Sequence, residues 1–226
     1  MVRSMSSVTT LERELYSTAE AARLLSMSSV TLKRWLEGAT RKGVFYPPVL
    51  RADPRGSDVV TWGEFVEAGL LREYRSTGVL LQTRRPFIAD LRSGLGINYP
   101  LAHARPYVLE RQLVLELQEA HNLDPRVCVV ATGPHEGQLV LTDQANQFVE
   151  KVEFDDDAAR RIRPAGPDSP VTIDPEKSFG IPTIRGIRTE NVVELFQAGE
   201  SIGAIAEAFD LEPHEVEAAL RFESAA

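Results

Sequence analysis

The sequence predicts an α+β protein in three parts, on three observations. Helical spacing with recognisable start and stop signals fills both ends of the chain, short apolar runs between turn residues occupy the middle, and charge is divided unevenly. The expected parts are a winged helix-turn-helix over residues 10–85, a connecting helix and small, mainly antiparallel sheet over 86–170, and a C-terminal three-helix unit over 171–226.

The first part begins with Ser17 and Glu20, spaced as a capping box, with Tyr16 placed to staple on Ala21. Ala21, Leu24 and Leu25 share one helical face, and after Ser26 and Met27 a second helix capped by Ser28 repeats the spacing with Leu32, Trp35 and Leu36. Ser29, Thr31, Lys33 and Arg34 are left outward, a short, polar and basic face of the kind that reaches base edges and phosphates. Val49-Leu50-Arg51 and Val59-Val60 flank a Pro- and Gly-containing turn, so a hairpin wing with Arg51 and Arg55 at its rim is expected. Thr61 and Glu64 form a second capping box for a helix through Phe65, Ala68 and Leu71. The candidate DNA-binding residues are Ser28, Ser29, Thr31, Lys33, Arg34, Arg51 and Arg55; two amphipathic helices that merely pack together are the plainer alternative.

Charge favours DNA for this part only. The chain carries −8 overall, yet residues 1–85 hold 13 basic and 9 acidic side chains, net +4, and the other 141 residues hold 12 and 24, net −12. A cationic head on an anionic body suits a protein that touches phosphate at one end and not elsewhere.

In the middle, residues 86–95 read as a helix with Pro86 at its first position and Ser93-Gly94 near its end. Residues 109–121 alternate imperfectly and fit either a strand or a helix. Runs at 126–131 and 138–142 flank Gly133-Pro-His-Glu-Gly137, a hairpin signature, and Val149, Val152 and Phe154 suggest a further strand. No chemistry stands out here. His103, His121, His135 and His214 are scattered, the lone Cys128 reads as a small buried residue, Gly94-Leu-Gly96 is a turn, and Asp155-Asp-Asp157 is a solvated acidic run. No catalytic residue, metal site or cofactor is expected. With 43 % hydrophobic residues, no apolar run of membrane-spanning length and no signal-peptide core, the chain reads as a folded cytoplasmic protein.

Residues 163–170 break every periodicity with three prolines and a glycine. Thr189 then caps a helix carrying Val192, Val193 and Phe196, Ser201 one carrying Ile202, Ile205, Ala206 and Phe209, and Pro213 opens one carrying Val216, Ala219 and Leu220. Glu212, Glu215 and Glu217 make the last helix repel phosphate. Those three, with Arg185 and Arg188, are therefore candidate partner-binding residues, in a unit for dimerisation or protein contact.

Residues 174–188, Asp-Pro-Glu-Lys-Ser-Phe-Gly-Ile-Pro-Thr-Ile-Arg-Gly-Ile-Arg, with the helices that follow, resemble the C-terminal domain of VapB-like antitoxins. Residues 16–35 resemble the MerR and excisionase type of winged helix-turn-helix, and residues 85–92 and 99–103 the connecting region of longer members. The resemblance implies a type II antitoxin: a homodimer that represses its own operon by binding operator double-stranded DNA and neutralises a PIN-like ribonuclease toxin. A stand-alone MerR-like transcriptional regulator with a ligand-sensing middle domain is the rival reading, and a protein-only adaptor a third.

Overall fold

The computed structural model of the chain describes residues 10–76, 81–103, 120, 129–130, 139–140, 147–156 and 158–225. The class is α+β, with helices joined to short antiparallel strand pairs. The chain separates into two compact units: the first runs to Glu150 and includes Phe154–Ala159, and the second comprises Lys151–Glu153 and the residues from Arg160 onward.

In the first unit, β1 (Glu14–Ser17) leads into α1 (Thr18–Leu24), whose start is the expected capping box: the Glu20 amide donates to Ser17 Oγ (3.2 Å) and the Ser17 amide to the Glu20 carboxylate (3.4 Å). Ser26, with φ of +47°, turns the chain into α2 (Ser29–Glu37), and Ala21, Ala22, Leu25, Leu32, Trp35 and Leu36 are buried. This is the helix-turn-helix that the spacing predicts.

The hairpin lies elsewhere than expected. It is formed by β2 (Ala39–Arg41) and β3 (Val44–Tyr46), antiparallel, closed by Lys42 and Gly43 at φ of +48° and +77°, the left-handed pair that a tight two-residue turn needs. Residues 49–58 contain no strand. Val49 and Leu50 are instead buried, their amides donating to the Trp35 carbonyl (2.9 and 3.0 Å), and β4 (Val59–Thr61) pairs with β1, Tyr16 opposite Val60.

The second capping box forms: the Glu64 amide donates to Thr61 Oγ1 (3.3 Å) and the Thr61 amide to Glu64 Oε2 (2.9 Å), opening α3 (Trp62–Ser76). Phe65 stacks on Trp62 and meets Tyr16 at a tilt, ring centroids 5.5 and 4.8 Å away, and Trp62 Nε1 donates to the Ala159 carbonyl at 2.7 Å. Two glycines notch this helix. A Cβ on Gly63 would meet the Tyr99 ring at 2.5 Å and one on Gly69 the Phe148 ring at 2.2 Å, so both positions exclude any side chain.

α4 (Leu81–Leu95) begins five residues before Pro86, which lies inside it rather than opening it. Proline removes one helical hydrogen bond, and the buried Phe87, Ile88 and Leu91 just beyond it anchor the helix against that loss. Arg92 ties α4 to its surroundings, donating to the carbonyls of Asn98 (2.8 Å), Leu50 (3.2 Å) and Val49 (3.3 Å). A 3₁₀ turn, Pro100–Ala102, follows, and β5 (Val129–Val130) pairs antiparallel with β6 (Leu139–Val140), as the middle section predicts. The expectations at residues 109–119, His121, Cys128, 133–137 and Asp157 lie outside the described residues. β7 (Val152–Asp155) and β8 (Ala158–Ile162) form a two-stranded pair; Val149 precedes the strand rather than joining it.

In the second unit, β9 (Thr183–Ile184) and β10 (Ile187–Arg188) form a hairpin around Arg185 (φ +49°) and Gly186 (φ +89°). Then come α5 (Thr189–Gln197), α6 (Ile202–Phe209) and α7 (Pro213–Ala225), packed over Val171, Ile184, Val192, Ile205, Val216 and Ala219. The Ser201 cap forms, its Oγ accepting from the Ala204 amide at 3.2 Å. Thr189 is not a cap. It is the first residue of α5, fully buried, and its hydroxyl faces the Glu223 carboxylate and the Pro182 carbonyl (3.3 Å), while Arg188 occupies the cap position.

Candidate nucleic-acid interface

The outward face of α2 carries Ser28, Ser29, Lys33 and Arg34, all exposed, with Thr31 half-buried. The face is clean because Leu32, Trp35 and Leu36 take the apolar side of the same helix. Ser28 holds the cap position by its backbone, its carbonyl accepting from the Thr31 and Leu32 amides (2.9 and 3.0 Å), and its hydroxyl makes no cap bond. Val30 stands among these residues, 56 % exposed.

Immediately beyond α2 comes the hairpin, with Arg41 and Lys42 exposed at its tip and Val44 and Phe45 exposed along it. Gly38 makes the join. Its φ is +76°, and a Cβ there would strike the Tyr46 carbonyl oxygen at 2.5 Å and the Phe45 ring at 2.9 Å. Arg41 and Lys42 were not among the residues that spacing singled out; the signal that could have found them is Lys42-Gly43 ahead of the β-forming run Val44-Phe45-Tyr46.

Arg51 is a correction. The rim position expected for it does not exist, and it is 3 % exposed. Its guanidinium donates to Glu64 Oε1 (2.8 Å) and Oε2 (3.2 Å), to the Val59 carbonyl (2.7 Å) and to the Glu37 carboxylate, and so joins the end of α2, the 51–58 loop and the start of α3. Glu37 also accepts from the Gly56 amide at 2.8 Å. Burial works against the charge on Arg51, yet the Glu64 and Glu37 carboxylates outweigh it and hold the guanidinium proton more tightly than usual. A cation so enclosed cannot meet a phosphate. Arg55 is exposed, with half of its side chain in solvent, and it lies 3.6 Å from Glu64.

A second buried carboxylate sits deeper in α3. Glu67 is fully enclosed, accepts from the Leu101 amide at 2.9 Å and faces Arg92 at 3.6 Å. Desolvation pushes its pKa up to about 7, against the pull of Arg92 and the Leu101 amide.

The C-terminal candidates divide. Glu212 and Glu217 are exposed, Glu217 in an i,i+4 pair with Arg221 at 3.3 Å. Glu215 is largely enclosed, accepting from the Glu212 amide (2.9 Å) and facing Arg185 at 3.8 Å, while Arg185 also donates to the Asp210 carbonyl at 2.9 Å. Glu215 and Arg185 thus brace the turn between α6 and α7, whereas Arg188 is exposed. Among the described residues, no group of His, Cys, Asp and Glu is placed to hold a metal ion, and no helix is long and apolar enough to cross a membrane.

The chain thus carries an exposed basic face on the second of two packed helices near its N-terminal end. Comparison with known proteins adds relatives. Residues 171–222 match a family described as "Protein of unknown function (DUF433)". Over 146 residues the chain is 38 % identical to "Uncharacterized protein Rv2308" of Mycobacterium tuberculosis, a match over 63 % of this chain that spans only 59 % of that relative's length. Over 221 residues it is 28 % identical to "Putative antitoxin VapB45" of the same organism, covering 91 % of this chain and 92 % of that one. The crystal structure of Rv2018 from M. tuberculosis superposes with a TM-score of 0.70 at 25 % identity, over 93 % of this chain and 99 % of that one. The chain is therefore related along most of its length to a protein named as an antitoxin.

Proposed function

We propose that the chain is the antitoxin of a type II toxin-antitoxin system, acting as a homodimer that binds its operator through α2 and the β2–β3 hairpin and restrains a PIN-like ribonuclease. It acts by binding and not by catalysis. The observation that carries the DNA part is the outward face of α2, where Ser29, Lys33 and Arg34 lie exposed on a helix whose apolar side is fully committed. The relationship, over 91 % of the chain, to the protein named "Putative antitoxin VapB45" supports the partner.

In this reading Lys33 and Arg34 approach base edges in the major groove, and Arg41 and Lys42 neutralise phosphates beside it. Arg51 supports the head from within. The test is a gel-shift titration of the full chain against its own upstream DNA at two salt concentrations. Affinity should fall steeply with salt, with a log-log slope of about −0.9 per phosphate contacted. A salt-insensitive complex, or none, overturns the operator reading. Co-expression with the protein of the neighbouring reading frame tests the other half: that protein should arrest growth alone and be silenced by this chain.

A further inference from the structure

In the second unit, the loop from Asp174 to Gly180 holds an aromatic ring in water against the preferences of its own backbone. Phe179 is 69 % exposed, more than any other large apolar residue described. Its φ is +56°, between Ser178 at +48° and Gly180 at +72°. Left-handed backbone is uncommon for any residue with a side chain and an outlier for a bulky one, and here two such residues stand in succession.

The loop is nonetheless well tethered. Asp174, 2 % exposed, accepts from the Glu176 amide through Oδ1 at 2.9 Å and from the Lys177 amide through its carbonyl at 3.0 Å. The Gly180 amide donates to Lys177 (3.0 Å) and the Ile181 amide to Ser178 (3.1 Å), after which Thr183 is locked to Thr172 at 2.9 Å. The surroundings thus over-determine a strained conformation whose result is to present a phenyl ring outward. Strain of this kind collects where a contact with another molecule is made.

The chemistry of that molecule follows from charge. Residues 160–225 hold 12 acidic and 7 basic side chains, net −5. Several of the cations are already neutralised within the unit: Arg161 and Arg163 by Glu153, Arg221 by Glu217. Glu194, Glu200 and Glu207 stay exposed on α5, α6 and the turn between them. Such a surface disfavours nucleic acid and attracts a cationic protein.

We propose that Phe179 anchors the second unit in an aromatic-sized apolar socket on a cationic protein, which on the antitoxin reading, on which this inference rests, is the nuclease of the same operon. The test titrates the full chain with the protein of the neighbouring reading frame by calorimetry, using wild type, Phe179→Gly and Phe179→Tyr. Phe179→Gly should weaken binding by about 30-fold or more, and Phe179→Tyr by no more than about threefold. Because glycine accepts a φ of +56°, Phe179→Gly should melt at or above the wild-type midpoint, which separates lost contact from lost fold. No binding by wild type overturns the antitoxin reading and the anchor with it. Equal affinity of wild type and Phe179→Gly overturns the anchor alone. A Phe179→Gly chain that melts lower shows the ring to be part of the fold and sinks the proposal, as does one whose mass by sedimentation halves, since the socket then belongs to a second copy.

Discussion

The chain contains two helix-turn-helix pairs, α1–α2 and α6–α7, and they differ in what they leave outside. α2 shows Ser29, Lys33 and Arg34, whereas the start of α7 shows Glu212 and, one turn on, Glu217. They differ inside as well. The head is braced by enclosed ions, Arg51 with Glu37 and Glu64, and Arg92 with Glu67, while the C-terminal core is made of Val, Ile, Leu and Ala. Both pairs thus pack on apolar side chains, the head adding enclosed ion pairs to its own, and the outer faces carry opposite signs. Helix-turn-helix geometry alone does not define a DNA reader; its exposed side chains do.

The sharpest way to break this contrast is Arg51→Ala. It leaves Glu64 and Glu37 without their partner, and urea unfolding should show a loss of about 3–5 kcal/mol, with any loss of DNA binding following from loss of fold. An unchanged urea midpoint would return Arg51 to the surface. Gly38→Ala comes next, because the added methyl meets the Tyr46 carbonyl at 2.5 Å, whereas Gly43→Ala, also at positive φ, meets nothing within 4 Å. The first should cost several times the second, for which the left-handed penalty of about 1–2 kcal/mol applies, as thermal unfolding of the two variants can show.

A third comparison uses pH. The Glu67 carboxyl is protonated more readily in the folded head than in the unfolded chain, so its contribution favours folding below the unfolded value of 4.5 and is lost as pH rises through about 7. Across that window it should lower stability by about 1.4 kcal/mol per pH unit at most, and Glu67→Gln should flatten that share of the profile. Parallel profiles for the two proteins would show that Glu67 does not titrate there. The smallest effects concern the outer faces: Arg41→Ala and Lys42→Ala should each reduce the salt slope of operator binding by about 1 with unfolding unchanged, and Glu217→Ala should leave DNA binding alone.

What could be read from spacing was what is local. Ser17 with Glu20, Thr61 with Glu64 and Ser201 with the Ala204 amide are each three residues apart, and all three caps form. The wing was misplaced because the real hairpin uses three-residue strands and a lysine in left-handed backbone, a weak pattern, while Val49 and Leu50 look strand-like for the reason that they are buried. Arg51 was misassigned because the carboxylates that enclose it lie 13 and 14 residues away on opposite sides. No sequence pattern sets Phe179 apart, since an exposed phenylalanine and a buried one share the same letter.

The notches at Gly63 and Gly69 set a limit on dissection. Their occupants, Tyr99 and Phe148, and the acceptor for the Trp62 indole, Ala159, arrive as many as 97 residues later in the chain. A polypeptide released at residue 85 would keep α2 yet lack the plugs that complete α3, so shortening the protein to its first helix pair and hairpin would expose aromatic surface instead of isolating a working module.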